Sequence, residues 1–127
     1  MRKIIRNNKL IAVVIDSFLE EGTKPLTEES LPLQIIALKH PRGKKLVPHS
    51  HSPLERITSS LSECLLVMEG KIKVDLYDKK EIIETIFLSS GEGILLINAG
   101  IGIEIIENAK MLEFKNGPFL EDKIVLE

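Results

Sequence analysis

The chain has 127 residues, of which 43% are hydrophobic and 28% charged, so it is long enough to bury one core and has the composition of a globular domain. Its net charge of −2 supplies no positive field that would draw nucleic acid or an anionic membrane. The single cysteine excludes an intramolecular disulfide, no apolar run approaches the ~20 residues of a bilayer span, and residues 10–15 are too short for a signal peptide, so a reducing cytoplasm is the expected setting.

Arg2, Lys3, Arg6 and Lys9, interrupted by Ile4 and Ile5, read as a solvated edge. Residues 10–15 are rich in β-branched side chains and predict a first strand. A helical turn is expected over residues 16–21, stopped by Gly22, and residues 23–32 read as a loop with two prolines. A second strand is expected at 33–38, a turn at 40–43, and a strand at 46–51. Residues 52–62 form a polar excursion. Strands follow at 63–69, breaking at Gly70, and at 71–77, where Ile72, Val74 and Leu76 alternate with Lys71, Lys73, Asp75 and Tyr77. After a charged tip at 78–81 the chain returns over 82–88. Turns at 89–93, 98–100 and 108–109 separate strands at 94–97, 101–106 and 110–115, and 116–118 closes the last.

Short strands at even spacing, with no convincing helix longer than about two turns, argue an all-β barrel or sandwich. Several strands are apolar on both faces: Cys64, Leu66 and Met68 point one way, Leu65 and Val67 the other. One face fills the barrel. The other needs a second sheet or a partner chain, which makes a homodimer the expectation.

Chemistry concentrates at His49 and His51. Two residues apart on a strand, their imidazoles share a face, and Glu63, opening the next strand, can meet them there. Two histidines and one carboxylate suit a first-row divalent metal (Zn, Mn, Fe or Ni) with positions left open for water or substrate. The plainer alternative is a pair of partly exposed histidines, one bonded to a backbone carbonyl. Without metal, Glu63 and one histidine form a proton-transfer pair. Arg56 is either solvated or, if its loop folds over the barrel mouth, a fork for a phosphate or carboxylate. Gln34, Lys45 and Tyr77 are weaker candidates for substrate contact, and Tyr77 points away from the interior by its alternation. Cys64 reads as a buried structural thiol. No phosphate-cradling loop is present.

Gly43, His49, His51, Glu63 and Gly70 together resemble the first motif of the cupin superfamily, although the spacer between His51 and Glu63 is long. The second cupin motif survives in part, as Gly91-Glu92-Gly93 and Asn98-Ala99-Gly100; where relatives would carry a third histidine stands Ile101. The chain is most similar to small bacterial cupins encoded among polysaccharide and sugar-nucleotide genes, through Arg56, residues 70–78 and the tail from Glu113 to Phe119. The resemblance covers roughly residues 33–122. It implies a single-domain jelly-roll (double-stranded β-helix) barrel at 33–127, with residues 1–32 as an N-terminal strand and loop extension.

Two functions follow from that resemblance. One is a metal-dependent isomerase or epimerase acting on a sugar or sugar nucleotide, with His49, His51 and Glu63 as catalytic metal ligands and Arg56 and Gln34 on the substrate. The other is a non-catalytic cupin, binding a small molecule or serving as a scaffold, whose metal site has decayed at Ile101.

Overall fold

The computed structural model describes residues 1–17 and 20–127, and among them there is no helix. The helical turn expected at 16–21 includes Phe18 and Leu19, which lie outside the described residues. Eight strands follow in order: β1 (Arg2–Arg6), β2 (Lys9–Ile15), β3 (Gly22–Pro25), β4 (Ile36–Lys39), β5 (Glu63–Asp78), β6 (Glu81–Ser89), β7 (Gly93–Leu96) and β8 (Gly100–Lys115). All pairings are antiparallel. The main sheet runs β1-β2-β7-β5-β6, with β8 along the other edge of β5, while β3 and β4 form a separate pair.

β5 and β8 are the long members, and they bend together. Gly70 has a φ of 86°, a conformation glycine adopts without penalty. A Cβ there would collide with the Asn108 carbonyl of β8. The register between the strands shifts around Glu69 and Lys71, opposite Glu107 and Lys110, as bulges do where a strand turns a corner. The sequence predicts a strand end at Gly70 and a turn at 108–109; these positions are instead the paired kinks of two continuous strands. The first half of β5 therefore pairs with β7 and the end of β8, and its second half with β6 and the start of β8.

The sheet curls into about half a barrel. β1 and β6 stand at opposite ends of the strand order, yet Arg2 on β1 reaches Glu84 on β6 at 2.7 Å, and Arg6 lies 3.5 Å from Glu81 and 3.8 Å from Asp78. The basic start is thus an edge paired with acids across the curl. Residues 2–15 supply Ile4, Ile11, Ala12 and Val14 to the core. Their hairpin was not expected. Its two-residue turn is Asn7-Asn8, both at positive φ (52° and 62°), a conformation asparagine tolerates better than most residues.

Alternation places the core as expected. Ile72, Val74 and Leu76 are fully buried, facing Val67, Leu88 and Ile94. The opposite face of β2, β5 and β7 carries Val13, Ile15, Cys64 and Leu95, covered by Leu26, Leu33 and Ile35. The two-faced apolar strands thus find a second layer within the chain. It ends short of Met68, Leu112 and Phe114, which stay about half exposed.

The strand expected at 46–51 is absent: residues 44–59 belong to no strand. Pro48 and Pro53 remove two backbone donors from the segment, and Leu46, Val47, Leu54 and Ile57 stay exposed. β8 is hydrogen-bonded to β5 alone, so its other edge carries no strand among the described residues.

Gly70→Ala tests the shared kink. It forces a side chain into the Asn108 backbone and a strained φ, at a cost of about 3 kcal/mol. Urea unfolding should show that loss, and an unchanged midpoint would contradict it.

Candidate functional site

Where the two limbs of β8 face each other they border an open cavity of about 270 Å³. Leu65, Leu96, Ile101, Ile103 and Met111 form its walls, and Glu63 and Glu113 bring two carboxyl groups to it. The register explains the set. Glu63 lies opposite both Leu96 and Lys115, and Leu65 lies opposite Glu113. These are inward positions of the alternation that buries Val67 and Leu76. From the other limb, Ile101 and Ile103 stand opposite Leu76 and Val74.

The two carboxyls are neighbours on the cavity lining. Burial, and after it the neighbouring Glu113 carboxyl, push the Glu63 carboxyl above its ordinary range, against the pull of Lys115. Lys115 Nζ is 3.6 Å from Glu63 and 4.0 Å from Glu113. The group is a carboxyl pair with an ammonium at its rim, facing aliphatic walls. Glu63 holds its proton to higher pH than a free glutamate does, and the group can hydrogen-bond to a bound molecule.

The histidines stand elsewhere. His49 and His51 are exposed, with ring centroids 5.2 Å apart and planes at 81°. His49 Nδ1 lies 2.9 Å from the Val47 carbonyl, so that nitrogen carries the proton and Nε2 alone is free to ligate. Among the described residues no three of His, Cys, Asp and Glu gather to hold a metal ion. His49 and His51 were expected to meet Glu63 from a neighbouring strand; only Glu63 lines the cavity.

The remaining candidates fall into plain structural places. Gln34 Nε2 donates to the carbonyls of Glu28 (2.9 Å) and Leu31 (2.8 Å), and its Oε1 accepts from Thr27 (3.1 Å), so its amide holds its own loop closed. Arg56 is exposed and donates to the Leu54 carbonyl at 3.2 Å. Lys45 is exposed. Tyr77 lays its ring against Gly102 and borders the cleft outside the cavity. Cys64 is buried in the outer layer, and burial pushes its thiol pKa up, which keeps it protonated and unreactive.

Two residues gained importance. Glu113 lies in the strand expected at 110–115 without a site role in the sequence; the alternation of Met111, Glu113 and Lys115 marks them as sharing a face. Asn116 accepts from the Ser62 amide (2.7 Å) and donates to Ser60 O (3.0 Å) and Thr58 (3.2 Å), pinning the end of the histidine-bearing segment beside Glu63.

Compared with known proteins, the chain matches no family model, no curated protein and no solved structure.

The raised carboxyl of Glu63 fixes a pH dependence. The folded protein holds that proton more tightly than the unfolded chain does. The resulting stability is complete below the ordinary glutamate range and is lost as pH rises through the raised folded value. Glu63→Gln abolishes this loss. The variant should match the parent in acid and exceed it in thermal stability at neutral pH. A variant less stable than the parent at neutral pH would contradict the account.

Proposed function

We propose that the chain is a cupin-like jelly-roll protein that binds a small molecule in the cavity between the limbs of β8. The observation that carries this is the cavity itself: five apolar walls and a pair of neighbouring carboxyls at Glu63 and Glu113. Apolar walls with a few convergent polar groups are the usual make-up of a ligand pocket. The resemblance adds support. Glu63 is its carboxylate position and Ile101 its third-histidine position, and both line this cavity. Isoleucine there makes the space drier, which favours binding over metal chemistry.

The ligand is expected to have a compact apolar body and one group that hydrogen-bonds to the carboxyl pair. At about 270 Å³ the cavity is smaller than the ~300–1,000 Å³ typical of drug-sized ligands. A sugar nucleotide would need the wider cleft of about 1140 Å³ beyond it. A homodimer belongs to the same reading, with the half-exposed Met68, Leu112 and Phe114 as its contact; light scattering that finds a monomer at micromolar concentration removes the dimer.

A second reading is the metal-dependent isomerase or epimerase acting on a sugar or sugar nucleotide. The closeness of the His49 and His51 rings favours it, as does the free edge of β8. It requires residues 44–52 to lie along that edge and turn both imidazoles toward Glu63.

One set of measurements separates the two. Neutral alcohol and amide fragments are titrated into protein labelled at its isoleucine and methionine methyls, and metal content is measured on tag-free protein. The binding reading predicts shifts at Ile101, Ile103 and Met111 that disappear in Ile103→Trp, which fills the cavity. Stoichiometric metal that is lost in both His49→Ala and His51→Ala would establish the second reading instead.

A further inference from the structure

The cleft outside the cavity has one wall that belongs to no strand. Residues 119–127 border it, and the cleft shares Glu63, Leu96, Ile101 and Glu113 with the cavity. The segment leaves the end of β8 beyond Lys115 and returns to its beginning. Leu126 lies over Gly100, beside Tyr77, so closely that a Cβ at Gly100 would collide with its Cδ1. The tail therefore runs from one limb of β8 to the other, across the opening that the limbs frame.

What holds it there is slight. Leu126 is partly buried, while Phe119, Leu120, Ile124 and Val125 remain 80%, 72%, 80% and 67% exposed. Neither core cluster includes a residue of the tail. Among the described residues no hydrogen bond or ion pair joins 119–127 to the barrel. A segment rich in apolar side chains, lying at an apolar opening and fastened by one leucine, can leave without disturbing the fold.

We propose that residues 119–127 form a strap over the cavity mouth, latched by Leu126 on Gly100, and that the strap competes in cis with the ligand. This rests on the reading of the cavity as a binding site. The missing side chain at Gly100 is the seat of the latch. Ligand entry then requires the strap to open, so measured affinity is the intrinsic affinity scaled by the open fraction.

The experiment uses full-length protein and the neutral fluorophore N-phenyl-1-naphthylamine, which avoids repulsion by the carboxyl pair. Binding is titrated for the parent, Leu126→Ser, Gly100→Ala and Ile103→Trp. Leu126→Ser removes the latch, and Gly100→Ala fills its seat. Both should bind the probe at least about threefold more tightly than the parent, and Ile103→Trp should not bind. Amide exchange at Ile101 and Gly102 should be faster in Leu126→Ser, a readout independent of the probe. Equal affinity in parent and Leu126→Ser, with binding still lost in Ile103→Trp, overturns the strap and leaves the cavity standing. Binding that survives in Ile103→Trp, or no binding by any variant, overturns the cavity reading and the strap with it.

Discussion

The contact on which the architecture depends is the close approach of Gly70 to the backbone of Asn108. Two strands of sixteen residues each would form a flat ribbon if they stayed straight, with one face left in water. Kinked at the same level, they fold over and give the chain an inside. Val67, Ile72, Val74 and Leu76 then face the interior from both halves of β5. β2 and β7 extend one half of the sheet and β6 the other. The ion pairs from Arg2 and Arg6 to the acids of the β5–β6 hairpin draw the far edges together. These are exposed pairs, each worth about 1 kcal/mol or less, so they mark the curl and do not drive it. Burial of the aliphatic face drives it.

The same kink creates the site. On the β1–β6 side the curl is filled by Ile4, Ile11 and Ile86. On the β8 side no strand follows among the described residues, and the space between the limbs stays open. Polar residues at inward positions 63, 113 and 115 meet aliphatic ones at 101, 103 and 111. Partial burial and the neighbouring Glu113 disfavour ionisation of Glu63, with Lys115 beside it pulling the other way. An apolar cavity next to a carboxyl pair is suited to a molecule with an apolar body and a single polar group. The tail that spans the opening gives the same site a means of control.

Much of this was legible in the residues. The clean alternation over 71–77 located the central strand and its buried face, and the two-faced apolar strands implied a second layer, which the hydrophobic residues of 26–35 provide. Glu63 was correctly placed at the start of an inward-facing strand. The histidines illustrate the limit. The pattern His-x-His gives a common face only if the segment is a strand, and a strand exists only with a partner. Pro48 and Pro53 weaken the segment's capacity to pair, and sequence does not reveal which edge would receive it. Glu113 escaped notice because its role comes from register with β5, where it stands opposite Leu65, a long-range pairing that no local pattern encodes. The kinks at Gly70 and Asn108 looked like strand ends for a related reason: a bulge and a turn share the same residues, and only pairing tells them apart.

The central claim is that the two limbs of β8 face one another around one cavity. Methyl–methyl nuclear Overhauser effects test it most directly, in protein labelled at isoleucine and methionine methyls. Cross-peaks from the Met111 methyl to the δ1 methyls of Ile101 and Ile103 are predicted, because all three line the same cavity. Met111 and the two isoleucines showing contacts only within their own limbs would mean that β8 runs straight, and the cavity with its carboxyl pair would not exist.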